Sequence, residues 1–208
     1  MRILKINQKS YQKIAKIVAE SVKNGKVIIF PTDTVYGLIC DVQNKKAVSK
    51  IFKIKKRNFQ KKISIFVRDL EMAKKFAKID KKQEQFLKKN WPGNLIAVLK
   101  AKKKFPKGIV CPKGKIGLRI PNYKFLNELL KKWNYPIAQT SANISGKPVP
   151  AKVKEILKQF TPFRNQRFLT GFRDKEWQPD LVIDVGKLTS KSSKVIDLTI
   201  QPPKILRP

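Results

Sequence analysis

Histidine is absent from this chain of 208 residues. That excludes imidazole general-base catalysis, serine–histidine triads and histidine metal sites. Cysteine is nearly absent. Cys40 and Cys111 stand far apart, match no metal-ligand spacing and suit a compartment without disulfides. Cys40 reads as a small core residue in a strand continuation. Acidic residues are scarce, and no acidic cluster stands out to hold a metal. Long hydrophobic runs are also missing: the longest hold four or five residues, too short to span a membrane. The start, Met1 to Ile6, lacks the apolar core of a signal peptide. The expectation is a cytoplasmic protein with no membrane partner and no resident metal.

What the chain has in excess is positive charge: 48 lysines and arginines against 14 acidic residues, net +34. Two readings stand. One is a nucleic-acid surface. The other is lysine spread over every exposed face, because pairs such as Lys45-Lys46, Lys81-Lys82 and Lys131-Lys132 fall on predicted helix faces all along the chain. Either way the field attracts polyanions. With 41% hydrophobic residues the length suits one domain.

Periodicity supplies the elements. Ile14, Ile17, Val18 and Val22 share a helical face that Gly25 terminates. Val27 to Phe30 is a buried strand. Asn44 caps a helix over 45–54. Ile63 to Val67 reads as a strand, Asp69 and Asp80 each open a helix, and Trp91-Pro92-Gly93 breaks the pattern. Strands follow at 95–100 and 116–120, a helix at 123–133, and a short strand at 137–139. Residues 101–115, rich in lysine, read as an exposed excursion. A helix near 152–159, an irregular stretch over 161–179 and strands at 181–184 and 194–198 complete the pass. Strands and helices alternate irregularly, which predicts an α/β fold with a sheet of mixed direction.

The densest chemistry is Pro31-Thr32-Asp33-Thr34-Val35-Tyr36-Gly37-Leu38, directly after the apolar run. Hydroxyls, a carboxylate and a phenol crowd the turn ending a strand, where small-molecule sites are built. The plain alternative is a polar turn with Pro31 and Gly37 as breakers. Lys55 and Arg57 end a helix and suit phosphate, one as a point charge and one by bidentate contact, or else form a solvated helix end. Ser141 and Asn143 are two apart, so on an extended segment both face one way, or they simply form a turn.

Taken together, in this order and spacing, these segments resemble the YrdC family. The likeness continues in Trp91-Pro92-Gly93, Leu118-Arg119-Ile120-Pro121, Ser193 to Asp197 and Ile205 to Pro208, and so covers roughly residues 10–208. The resemblance implies a twisted, open mixed sheet flanked by helices, with a concave basic site. It implies residues 1–208 as a single domain without the second C-terminal domain of longer members. It implies threonylcarbamoyl-adenylate synthesis from ATP, L-threonine and bicarbonate, with Mg2+ carried by ATP and the product handed to a tRNA threonylcarbamoyl transferase complex. On the matching positions, Lys55, Arg57, Ser141 and Asn143 are the catalytic group. Lys61, Lys115 and Arg207 join Arg57, Ser141 and Asn143 around ATP. Thr32, Thr34, Tyr36, Arg119, Gln139 and Ser193 surround threonine.

Departures from the family pattern lie at Asn58 and Lys62, where prolines are usual, at Phe66, where some members place a histidine, and at Lys194, where threonine is usual. They bear on the amino-acid pocket more than on the nucleotide side. Two further readings belong to other classes: an RNA-binding module of the same fold, with tRNA or double-stranded RNA as the partner, and a carbamoyl-transfer domain.

Overall fold

The computed structural model describes residues 2–6, 10–160 and 177–208. Most of the irregular stretch expected over 161–179 lies outside them. Eleven strands and six helices are seen among the described residues. The order is β1 (Arg2–Lys5), α1 (Tyr11–Lys23), β2 (Ile28–Phe30), β3 (Gly37–Asp41), α2 (Lys45–Ile54), β4 (Ser64–Phe66), α3 (Leu70–Phe76), β5 (Ala77–Lys78) and α4 (Lys81–Asn90). It continues with β6 (Leu95–Ala101), β7 (Lys115–Arg119), α5 (Lys124–Trp133), β8 (Ile137–Ser141), α6 (Val153–Phe160), β9 (Leu181–Asp184), β10 (Lys194–Asp197) and β11 (Lys204–Arg207).

All strands join one sheet in the order β1-β9-β2-β3-β8-β4-β7-β6-β10-β11, with β5 beside β6. Its direction is mixed, as expected. β1–β9, β9–β2, β4–β7 and β6–β10 are parallel, while the other pairs are antiparallel. The predicted caps are present: Asn44, Asp69 and Asp80 accept from Ala47, Met72 and Gln83 N–H, closing the first turns of α2, α3 and α4.

Strand alternation then decides where a site can form. One face carries Ile29, Leu38, Cys40, Ile65, Ala97, Leu99, Leu118 and Ala138, buried against α2, α3, α4 and α6. The other face carries Ile28, Phe30, Ile39, Phe66, Ile137, Leu181 and Ile183, buried against α1 and α5. Those two helices reach only the β9-β2-β3 half and the near ends of β8 and β4. Further along the same face polar residues enter: Ser64, Lys115, Gly117, Arg119, Gln139 and Asp197 line a cleft together with the apolar Ile96, Val98 and Val195.

Two differences from the sequence reading have a physical cause. Residues 101–115 are not a simple excursion: Lys102 to Lys104 and Lys107 are exposed, but Ile109 is buried and Phe105 and Val110 pack on the core. Single apolar residues among lysines show no period to read. The strands β1 and β11 escaped notice because they are the sheet's edges, with mostly exposed residues and no alternation.

Gly108 joins these parts. Its carbonyl accepts from Ile63 N–H at 2.9 Å, its φ is +103°, and a Cβ there would stand 2.4 Å from the Phe52 ring. Gly108→Ala is expected to destabilise the fold by about 2–3 kcal/mol, from left-handed strain plus displacement of Phe52. The midpoint of urea unfolding reads this directly, and an unchanged midpoint would contradict the packing described.

Candidate active site

The cleft has a volume of about 400 Å3. It is built from the loop after β2, the loop after α2, the outward residues of β6, β7, β8 and β10, and Leu206 and Arg207 of β11.

One end is organised by Arg119, which is almost fully buried. Its Nε donates to the Gly93 carbonyl at 2.8 Å, Nη2 to Asp33 Oδ1 at 2.6 Å, and Nη1 to the hydroxyls of Ser193 and, at 3.3 Å, Thr34. The other Asp33 oxygen accepts from Asn122 N–H at 3.0 Å. Burial lowers the guanidinium pKa, Asp33 opposes the shift, and Arg207 adds to it. The Phe66 ring underlies the guanidinium at 5.8 Å, an apolar floor. The Thr32 hydroxyl donates to the Val35 carbonyl at 2.7 Å and accepts from Thr34 N–H. Its one hydrogen being committed, the 2.9 Å contact between the two hydroxyls has Thr34 as donor.

The rest of the cleft carries the cations Arg57, Lys115 and Arg207 among apolar residues such as Val98 and Leu206. Arg57 is pinned by its own loop, with Nε to the Lys61 carbonyl at 2.6 Å and Nη2 to the Lys62 carbonyl at 2.9 Å. Burial lowers its pKa and the neighbouring Arg207 charge adds to this. Arg207 Nε donates to the Ser193 carbonyl at 2.8 Å, so β11 clips the same segment that holds Arg119. Lys115 is paired with Asp197 at 2.8 Å. Burial alone would raise the Asp197 pKa, but Lys115 and the two bonds from Thr199 bring it below the ordinary carboxylate value. Gln139 donates to the Ser64 hydroxyl.

Beneath this wall lies Lys55, 1% exposed. Its ammonium donates to the Ser141 carbonyl at 2.5 Å, the Asn143 carbonyl at 2.7 Å and Asn143 Oδ1 at 3.1 Å. Burial, and secondarily Arg57, pull its pKa down to about 7. Asn143 also accepts from the Ser141 hydroxyl at 2.7 Å and donates to the carbonyls of Ile144 and Lys147.

The cleft therefore gathers Thr32, Thr34, Arg57, Lys115, Arg119, Gln139, Ser141, Ser193 and Arg207 of the expected residues. Four are placed otherwise. Lys55 and Asn143 stand behind the wall with their polar atoms engaged, shaping the β8–α6 loop. Tyr36 is fully buried beyond the cleft: its hydroxyl lies 3.1 Å from Asp184 Oδ1 and 2.8 Å from the Gly186 carbonyl, and accepts from Val185 N–H. Lys61 is exposed and meets Arg57 through its backbone, whereas Lys62 lines the cleft. Asp33, Ser64, Cys111 and Asp197 were missed as site residues. Asp33 was legible, lying inside the octapeptide between two threonines; the others needed the strand pairing. Lys194 is exposed and does not line the cleft, its neighbours Ser193 and Val195 doing so by alternation.

A match to the Sua5/YciO/YrdC family, described as telomere recombination, spans residues 20–208. The chain belongs to the Sua5/YciO/YrdC family. A protein of Methanocaldococcus jannaschii named a putative threonylcarbamoyl-AMP synthase is 35% identical over 199 residues, 95% of this chain and 86% of that protein. The structure of P. abyssi Sua5 complexed with L-threonine matches with a TM-score of 0.84 at 31% identity, covering 100% of this chain and 57% of that one. The structure of E. coli YciO matches with a TM-score of 0.82 at 27% identity, covering 99% and 93%. The chain thus spans little more than half of the P. abyssi protein but most of the other two. The family and the twisted open mixed sheet expected from sequence are both borne out.

Breaking a buried charge pair costs far more than breaking a surface one. Asp33→Asn is expected to destabilise the protein by about 3 kcal/mol, and Lys131→Ala, which breaks an exposed pair with Glu128, by well under about 1 kcal/mol. Equal shifts in denaturation midpoint would refute the role given to Asp33. For Asp197 the folded pKa lies below the unfolded 3.8. Its contribution is therefore complete above that pH and is lost as pH falls through the lower folded value. Asp197→Asn should flatten the acid limb of the stability profile below pH 3.8, read by chemical denaturation at stepped pH.

Proposed function

We propose that this chain is an L-threonylcarbamoyladenylate synthase, a nucleotidyltransferase serving threonylcarbamoyl modification of tRNA. The observation that carries the reading is the pairing, in one cleft, of a hydroxyl-rich loop around a buried arginine with a cationic wall of Arg57, Arg207 and Lys115. The amino-acid carboxylate meets Arg119, Thr34 and Ser193, and the triphosphate meets Arg57, Arg207, Lys115 and Ser141. The relative named a putative threonylcarbamoyl-AMP synthase and the structure with L-threonine support the same assignment.

The threonine amine adds to bicarbonate, water is lost, and a carbamate forms. A carbamate oxygen attacks the α-phosphorus of ATP, the bond to the β-phosphate bridge breaks, and pyrophosphate leaves. Such a transfer needs alignment and fixed positive charge more than covalent help. Arg57, held by two backbone carbonyls, is already oriented, which lowers the reorganisation cost in the transition state. Lys55 acts as a positioning residue through Ser141 and Asn143. Among the described residues no group of three potential ligands could hold a resident metal, so Mg2+ enters as part of the ATP substrate. No helix among the described residues is long and apolar enough to cross a membrane, and we place the activity in the cytoplasm, handing its product to a tRNA threonylcarbamoyl transferase complex. We read the chain as one domain, since a single sheet incorporates strands from β1 to β11.

The net charge of +34 supports a second reading, an RNA-binding module of this fold. One assay separates them: pyrophosphate release from ATP, with and without threonine and bicarbonate, with mass detection of the adenylate. Release is expected to require both co-substrates, and Arg57→Ala should lower kcat/KM by about 100-fold or more. Release indifferent to threonine, or an Arg57→Ala enzyme of normal rate, would sink the synthase reading.

A further inference from the structure

A second hollow, of about 520 Å3, opens between Lys45 and Ser49 of α2, Phe59, and the run Phe105, Pro106 and Lys107. None of these residues lines the cleft. Phe59 and Phe105 are half-buried, and Lys45 and Lys107 are exposed. Each ring is braced from below: Phe59 stacks on Phe52 with centroids 4.3 Å apart at 21°, and Phe105 leans on Phe76 at 5.8 Å. The Lys107 ammonium stands 5.4 Å from the Phe59 ring centre. Among the described residues no carboxylate lines the hollow.

Its size is that of a ligand site, and its chemistry narrows the occupant. A small inorganic anion would use the lysines and leave the rings in water. An apolar peptide would use the rings and leave two ammonium groups facing it. A flat base with a phosphate on either side uses both, because rigid aromatic faces take unstacked bases and flanking cations take the backbone. A duplex offers the phosphates but keeps its bases stacked away from the surface. Charge complementarity with a chain of net +34 favours a polyanion over a neutral ligand.

We propose that this groove binds a single-stranded segment of RNA, with one base against Phe59 and Phe105 and adjacent phosphates at Lys45 and Lys107. The groove shares its walls with the cleft. The loop bearing Phe59 also carries Arg57 and Lys62, and the run bearing Phe105 continues to Ile109 and Cys111. The two walls are tied by the bond from Ile63 N–H to the Gly108 carbonyl. RNA in the groove therefore lies against the back of the cleft wall. The proposal rests on the groove alone and holds whether or not the cleft forms an adenylate.

Fluorescence anisotropy on the full chain tests it, with a labelled, unstructured oligoribonucleotide of about ten nucleotides and a duplex of equal length. The double variant Phe59→Leu, Phe105→Leu keeps the apolar filling and the charge but removes the aromatic faces. It is expected to weaken single-strand binding about tenfold or more and to leave duplex binding unchanged. Lys45→Glu with Lys107→Glu should weaken it further than Lys81→Glu with Lys82→Glu, a matched charge reversal on exposed residues of α4. The proposal is overturned if the leucine pair binds single strands like the parent. Equal losses from the two charge reversals would overturn it as well, since charge alone would then explain binding. So would sedimentation showing that the leucine pair dissolves a dimer, because a second copy would then occupy the groove.

Discussion

One buried guanidinium ties the site together. Arg119 sits at the end of β7, and its donors reach the loop after β2, the turn at Gly93 and the approach to β10. These segments are remote in sequence. A charge taken out of water must be met by a counter-charge and by acceptors on its remaining hydrogens. Asp33 supplies the charge, and Gly93, Thr34 and Ser193 supply the oxygens. Each segment is thereby fixed relative to β7, and the surface they share becomes one wall of the cleft.

The cleft exists because the sheet is covered unevenly. Four helices pack on one face along most of its width. On the other face α1 and α5 cover one half, and Phe66, beneath Arg119, lies where the apolar half meets the polar half. Past that boundary the strands still alternate, but serine, lysine, glycine, glutamine and aspartate join Ile96, Val98 and Val195 among the outward residues. An uncovered sheet face with small and charged residues is a concavity, and Gly117 deepens it: a Cβ there would stand 3.1 Å from Ile96 and 3.3 Å from Ser64.

Charge in the cleft is distributed with a purpose that pairing makes visible. Arg119 and Lys115 each have a carboxylate partner, whereas among the described residues Arg57 and Arg207 are held by backbone carbonyls alone. A carbonyl orients a guanidinium without cancelling its charge. The two arginines therefore keep their full attraction for an anion, at the cost of mutual repulsion that bound phosphate would relieve. Lys55 works from behind: its three bonds fix the backbone of Ser141 and Asn143, so the position of the Ser141 side chain is set by an ammonium that does not line the cleft.

Much of this was legible in the sequence by itself. Helices α1 to α6 were marked by period and by the caps Asn44, Asp69 and Asp80, because these are local effects acting over a turn or two. The octapeptide, the Lys55–Arg57 pair and the Ser141–Asn143 pair were visible as polar groups at strand and helix ends, and their order pointed to the family. The tertiary structure alone decided which of them face one another. Lys55 and Arg57 are two residues apart, yet one lies buried with its charge engaged and the other lines the cleft. Tyr36, a few residues from Thr34, turns into the fold to meet Asp184. Asp197 and Lys115 become partners only because β10 and β7 both flank β6. Local sequence sets the period and the caps, whereas the facing of a side chain depends on strand register and on which half of a sheet the helices leave bare.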